Sequence, residues 1–363
     1  MIKVLVVDDS AVAREFISHL LAADPQIEVV GAVQDGAEAI AFVHRQKPDV
    51  ITMDINMPVM NGLEATRRIM ELQPLPIVIV SANWDPGEVA TTFKAMEAGA
   101  LAIVQRPKGI GHSEHKATTK DMVQTVKLMS EVRVVRRRSG KKTGTQPPAP
   151  ATILPEISGE AMAVVIGAST GGPLVIKTIL DGLPRDFPAA LLIVQHIAPG
   201  FLQGMVDWLA HTSTIPLKIA VQGERILSGQ AYFAPEGYNM GVGSGLSIQL
   251  SEGGPENVAK PSVSHLFRSV AGALGKNAVG ILLTGMGSDG AKELKLMREK
   301  GALTIVQDRD SSVVYGMPGA AVELGAADYI LAPDKIVAAL GMLMQKPESL
   351  VSKTLPFEGK QCH

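Results

Sequence analysis

The 363-residue chain has a single cysteine, Cys362, near its C-terminal end, so no disulfide can form within it. A reducing compartment is the simplest expectation for such a chain, and a cytoplasmic location follows. Aromatic residues are also scarce, at 4%. Aliphatic side chains and methionine must therefore fill the interior, which suits parallel strands buried on both faces. No run of about 20 apolar residues occurs, which argues against membrane insertion. The opening apolar stretch from Met1 to Asp8 is too short and too soon charged for a secretory leader. Lysine plus arginine number 34 against 36 aspartate plus glutamate, and a net charge of -2 offers no general attraction to nucleic acid.

What is present is an apolar fraction of 46%, enough for real cores, and a length that suggests two domains. Composition shifts between about Glu131 and Glu160. Arg133, Arg136, Arg137, Arg138, Lys141 and Lys142 precede Gln146-Pro147-Pro148-Ala149-Pro150 with no apolar periodicity. Basic charge beside prolines predicts an extended, solvated linker, and no aromatic residues accompany it to stack on bases. The division expected is a first domain over 1–125, a linker over 126–158, a second domain over 159–350 and a tail over 351–363.

The first domain alternates short apolar runs with helical patterns. Ile2–Val7, Val29–Val33, Val50–Met53, Ile77–Val80 and Ala102–Val104 are predicted strands, with helices such as Ala11–Ala22 and Ala37–Gln46 between them. That alternation predicts a parallel sheet with right-handed crossovers, whose reactive groups sit at the carboxyl ends of the strands. Asp8 and Asp9 end the first strand and Asp54 ends the third. Three carboxylates at one edge repel unless a cation intervenes, and an oxygen-only ligand set suits Mg²⁺. An aspartate neutralised in this way can attack a phosphoryl donor.

Val6-Val7-Asp8-Asp9-Ser10, Met53-Asp54-Ile55-Asn56-Met57-Pro58-Val59-Met60-Asn61-Gly62 and Val80-Ser81-Ala82 resemble the motifs of two-component receiver domains, over about the first 120 residues. The resemblance implies a flavodoxin-like (βα)5 fold, Asp54 as phosphoacceptor, Asp8, Asp9 and Asp54 at a Mg²⁺ site, and Ser81 as switch hydroxyl. It also implies a histidine kinase as phosphodonor. Two positions depart from the pattern: Arg106 stands where the family has lysine, and Ile103 where it usually has an aromatic. A planar guanidinium is not interchangeable with a compact ammonium.

The second domain has predicted strands at Ala163–Ile166, Ala190–Val194, Ala278–Leu283 and Leu303–Val306, and helices at Thr170–Leu180 and Gly290–Glu299. Gly167-Ala168-Ser169-Thr170-Gly171 forms a G-x-S-x-G string between strand and helix, the setting of a nucleophilic serine. A phosphate loop or a dinucleotide fingerprint would need Gly-Lys-Ser/Thr or Gly-x-Gly-x-x-Gly, which this string lacks. A serine needs a base, and the base an orienting acid. His196 ends the strand beside the serine's, whereas His211 follows a helical stretch and His265 lies inside one. Asp289 follows another strand end, unlike Asp181, Asp207 and Asp328. The chain order Ser-His-Asp differs from the Ser-Asp-His of α/β-hydrolases.

These strings, with Gln195-His196-Ile197-Ala198-Pro199-Gly200-Phe201, Lys260-Pro261-Ser262-Val263, Leu283-Thr284-Gly285-Met286-Gly287-Ser288-Asp289-Gly290-Ala291 and Val314-Tyr315-Gly316-Met317-Pro318, resemble the chemotaxis protein-glutamate methylesterases over nearly the whole chain. That resemblance implies a three-layer α/β/α, mostly parallel domain. The activity implied is phosphorylation-regulated removal of methyl groups from glutamates of chemoreceptors, with deamidation of glutamines often added. It implies Ser169 as nucleophile, His196 as base and acid, Asp289 as orienting carboxylate, an oxyanion donor at the Met286 backbone with Thr170 beside the nucleophile, and no cofactor for the esterase. Ser264 stands where relatives commonly have aspartate, which places the difference at the rim of the site. A receiver-controlled scaffold without turnover is the alternative from another class. A receiver-controlled transcription factor is weaker, since no helix-turn-helix pattern follows the linker.

Overall fold

A computed structural model describes residues 1–81, 86–132, 134, 163–252 and 260–343. Most of the expected linker, the expected tail and Cys362 lie outside the described residues.

The first domain is built from β1 (Ile2–Val7), α1 (Ala11–Ala22), β2 (Ile27–Val33), α2 (Gly36–Arg45), β3 (Val50–Met53), α3 (Gly62–Leu72), β4 (Ile77–Ser81), α4 (Pro86–Ala98), β5 (Ala102–Gln105) and α5 (His115–Ser130). All five strands pair in parallel in the order β2-β1-β3-β4-β5. Alternate residues of each strand serve opposite faces. Leu5, Val7, Ile51, Met53, Ile77 and Ile79 pack under α2, α3 and part of α4, while Val4, Val6, Val50, Val78, Val80 and Val104 pack against α1 and α5. Order reverses between β1 and β3, so the crevice at their carboxyl ends is where such a sheet takes a ligand. Ser10 and Asn61, from the acidic-pocket motifs, cap α1 and α3 by accepting from the Ala13 and Glu64 amides, which anchors both strand-to-helix turns.

The helix α5 runs to Ser130, past the boundary expected at 125. Met122, Val126 and Met129 recur along one face, and all three are fully buried, so packing carries the helix on beyond the point where sequence polarity suggested an end.

The second domain comprises β6 (Ala163–Ala168), α6 (Gly172–Gly182), β7 (Ala190–Gln195), α7 (Leu202–Ala210), β8 (Leu217–Ile219), β9 (Ala231–Phe233), β10 (Asn239–Gly243), β11 (Ser247–Ser251), α8 (Val263–Ala273), β12 (Ala278–Leu282), α9 (Ala291–Glu299), β13 (Leu303–Gln307), α10 (Gly316–Glu323), β14 (Tyr329–Leu331) and α11 (Pro333–Leu343). Seven strands form one parallel sheet in the order β14-β13-β12-β6-β7-β9-β8, and β10 pairs only with β11, as an antiparallel hairpin. Val164 and Ile166 face a core with α6, α7 and α11, and Ala163 and Val165 face one with α8 and α9. The result is three layers, with β6 central.

The helices α6 and α9 begin later than their sequence patterns suggest, at Gly172 and Ala291. Gly171 and Gly290 precede them at φ 81° and 86°, a left-handed conformation that suits glycine and turns the chain sharply before each helix.

The two domains meet through α4 and α7. Val89, Phe93 and Met96 join the same apolar core as Met205 and Trp208, and the Phe93 and Trp208 rings stack at 5.0 Å between centroids. A side-chain carbon placed on Gly204 would overlap Val89, so the close approach of α7 to α4 depends on that glycine.

Candidate active site and phosphoacceptor pocket

In the first domain the structure gathers Asp8, Asp9 and Asp54 at the β1 and β3 ends. One oxygen from each lies within 4.8 Å of the others. Asp8 and Asp54 are buried and Asp9 is exposed. Burial, reinforced by the charge of Asp8, pushes the Asp54 carboxyl up to about 7, and burial raises Asp8 as well. Arg106 partly offsets this: its guanidinium lies 2.7 Å from Asp8 Oδ2 and 3.4 Å from Asp54 Oδ1. Two buried carboxylates that desolvation disfavours, beside a third open to water, are an oxygen donor set that fits Mg²⁺.

Arg106 thus reaches into the pocket from the end of β5, and its longer fork spans two carboxylates at once. Ser81 ends β4, which adjoins β3, and is buried. Ile103 is partly buried and packs against two apolar clusters, one within the first domain and one that joins α4 to the second domain.

In the second domain Ser169, His196 and Asp289 follow β6, β7 and β12, three adjacent strands, and emerge at one edge of the sheet. The Ser169 amide donates to the Thr284 carbonyl at 3.0 Å, and the Ser169 carbonyl accepts from Gly172 at 2.8 Å, closing the tight turn into α6. Gln195 Nε2 donates to the Ser169 carbonyl at 2.8 Å. A side-chain carbon on Gly285 would lie 2.7 Å from Ser169 Cβ, so the turn after β12 presses directly on the serine. Ser169 and His196 line one cleft of about 420 Å³. Its far wall belongs to the first domain and includes Ile103, Gln105, Thr118 and Asp121.

His196 Nε2 lies 3.0 Å from Asp289 Oδ2, and both side chains are largely buried. Asp289 sits on the N-terminus of α8. It accepts from the Val263 amide at 2.8 Å, the Ser264 amide at 2.9 Å and the Ser262 hydroxyl at 3.2 Å. Burial alone would raise this carboxyl. Contacts with His196 and Ser264 override it and hold the group well below the ordinary aspartate range.

Ser264 therefore does not lie at the rim. Its amide holds Asp289, and its hydroxyl accepts from the Gly290 amide at 2.9 Å, so it braces Asp289 and the residue after it. Sequence reasoning missed this role. The available signal was Ser262 directly before an amphipathic helix: a serine N-cap leaves the next amides free for an anion. His211 caps the end of α7 and His265 lies within α8, and neither lines the cleft of Ser169 and His196.

Met286 is exposed, and neither its amide nor that of Thr170 has a hydrogen-bond partner among the described residues. No helix among the described residues is long and apolar enough to cross a membrane.

Fold and site together define a receiver domain joined to an α/β domain that carries a serine, histidine and aspartate at one sheet edge. Residues 164–340 match the CheB methylesterase family model, and residues 4–115 match the response regulator receiver domain model. A protein-glutamate methylesterase/protein-glutamine glutaminase of Geobacter metallireducens is 56% identical over 350 residues, spanning 94% of this chain and 99% of its own. Its counterpart in Nitrosospira multiformis is 52% identical over 346 residues, spanning 95% of this chain and 97% of its own. That of Syntrophus aciditrophicus is 52% identical over 343 residues, with 94% and 97% covered. The chain belongs to the CheB family of receiver-linked protein-glutamate methylesterases.

Proposed function

We propose that this protein hydrolyses glutamyl methyl esters on methylated chemoreceptors in the cytoplasm, under control of phosphorylation at Asp54, and that it deamidates receptor glutamines at the same site. The observation that carries the reading is the emergence of Ser169, His196 and Asp289 from three adjacent strands, with His196 and Asp289 3.0 Å apart.

Ser169 Oγ attacks the ester carbonyl carbon while His196 takes its proton. Asp289, ionised throughout the neutral range, orients the imidazole and stabilises its protonated form. The oxyanion forms against the partnerless amides of Met286 and Thr170; each such donor contributes about 3–4 kcal/mol to lowering the barrier. Methanol leaves with the proton from His196. Water then attacks the acyl-enzyme, giving its proton to His196, and the glutamate carboxylate departs as Ser169 is reprotonated. A glutamine amide follows the same course with ammonia as leaving group.

In the receiver domain Asp8, Asp9 and Asp54 would hold Mg²⁺, which when bound supplies the positive charge that phosphoryl transfer requires. An Asp54 oxygen bonds to the phosphorus of a phosphohistidine, and the histidine nitrogen departs with the electron pair. Arg106 and Ser81 stand where the added phosphoryl charge is sensed. The far wall of the cleft belongs to the receiver, which supports a masked resting state that phosphorylation loosens.

Methanol release from methylated receptor membranes tests the chemistry. Ser169→Ala is expected to reduce release to background while melting like the wild type. Full turnover in that variant would remove Ser169 from the mechanism. Phosphorylation with a small-molecule donor tests the receiver half. Asp54→Ala is expected to take up no label, and retained label would move the phosphoacceptor elsewhere.

A further inference from the structure

Thr284, the second residue beyond β12, has its side chain completely buried. A threonine hydroxyl in such a place must find partners, since an unmade hydrogen bond there costs more than a made one gains. Its partners are the inference. The Thr284 carbonyl accepts the Ser169 amide at 3.0 Å, and the Thr284 hydroxyl lies 2.9 Å from the Thr170 carbonyl, to which it donates. One residue thus holds both ends of the Ser169-Thr170 segment. That segment contains the Ser169 side chain and the partnerless Thr170 amide, so fixing its two ends fixes where both point. Pro173, three residues after Thr170, has no N–H to offer that carbonyl in place of the hydroxyl.

The hold extends backward to a loop. The Thr284 amide donates to Gln307 Oε1 at 2.8 Å, and Gln307 Nε2 donates to the Ser311 carbonyl at 2.8 Å. The Val314 amide donates to the Thr284 hydroxyl at 3.0 Å, and the Val314 carbonyl accepts from Gly285 at 3.0 Å. The Thr284 proton also has the Val314 carbonyl within reach, at 3.2 Å. One proton serves one acceptor at a time. The shorter contact, to the Thr170 carbonyl, takes the proton, while the hydroxyl oxygen still accepts from the Val314 amide of the loop. Val313 and Val314 in that loop pack against core residues of the receiver domain.

We propose that Thr284 is a positioning residue for the esterase. Its hydroxyl sets the Ser169-Thr170 turn in the reactive geometry, and its other contacts anchor that turn on the loop against which the receiver packs. This rests on the hydrolytic reading of the site.

The test compares Thr284→Val, which keeps the shape and removes the hydroxyl, with Thr284→Ser, which keeps the hydroxyl. Two readouts are taken on the full chain: kcat and KM for methanol release, and the rate constant for labelling Ser169 with a fluorophosphonate. Loss of one hydrogen bond to the turn predicts that Thr284→Val lowers both kcat and the labelling rate about tenfold, with KM changed less than about twofold. Thr284→Ser is expected to recover both to within about twofold of wild type. Where valine does not fold, Thr284→Ala makes the same comparison without a misplaced methyl. Wild-type kcat and labelling in the hydroxyl-free variant, or a serine variant as slow as it, would overturn the proposal. Wild type that labels at Ser169 but releases no methanol would count against the ester reading alone, since the labelling comparison still decides the role of Thr284.

Discussion

Asp289 shows how little of a residue's role lies in its own chemistry. A buried carboxylate is ordinarily driven toward its neutral form, and a neutral acid could not orient a histidine that must become charged. The α8 amides and the His196 contact reverse that tendency. Because its folded pKa lies below the ordinary 3.8, Asp289 adds stability that is present above that value and is lost as pH falls through the folded pKa. The difference in melting temperature between wild type and Asp289→Asn is therefore expected to persist from pH 8 to pH 5 and to shrink below about pH 4. A difference that shrinks already between pH 8 and pH 6 would contradict the depressed pKa. The same substitution is expected to lower kcat by roughly 10⁴-fold, the effect of replacing the orienting carboxylate of such a triad by an amide. Steady-state rates near neutral pH measure this directly.

Turns, more than helices or strands, hold the site together. The strand ends were legible because continuous Val and Ile runs stop abruptly at Asp8, Asp54, Ser169 and His196. Parallel order followed from strand and helix alternation. The hairpin β10-β11 and the short strands β8, β9 and β14 were not legible. Leu217–Ile219, Ala231–Phe233 and Tyr329–Leu331 are three residues each, too short for a period to register, and tertiary pairing decides them. The bracing by Ser264 and Thr284 was hidden for a related reason: their partners include backbone amides and carbonyls of distant turns, which no local side-chain pattern reports. Gly285 gives the element scale its prediction. A methyl there meets Ser169 Cβ at 2.7 Å and also the Met317 sulfur. Gly285→Ala is expected to cost about 1–3 kcal/mol of stability, the usual penalty of overpacking, and to slow labelling of Ser169. Denaturant unfolding with unchanged midpoint would show that the turn can yield.

At the scale of the whole molecule, the receiver touches the esterase domain through several elements. The α4 helix packs on α7 through Phe93 and Trp208, and the loop bearing Val313 and Val314 lies against the receiver core. Ile103 packs against the cluster that spans α4 and the second domain as well as against the first domain's own, so the β5 face is apolar contact surface in this chain. Removing the Phe93 ring deletes the stacked half of the α4–α7 contact. Phe93→Ala is expected to raise methanol release by the unphosphorylated full chain several-fold, while the phosphodonor-stimulated rate changes little. An unchanged basal rate would show that the ring stack does not seat the receiver.

The central claim joins serine chemistry to an aspartate switch in one chain. Methanol release from methylated receptor membranes, measured for wild type, Ser169→Ala and Asp54→Ala with and without a small-molecule phosphodonor, tests both halves in one preparation. The account predicts release that requires Ser169, rises with phosphodonor in the wild type, and does not rise in Asp54→Ala. Release that persists without Ser169, or that responds to phosphodonor without Asp54, would contradict it.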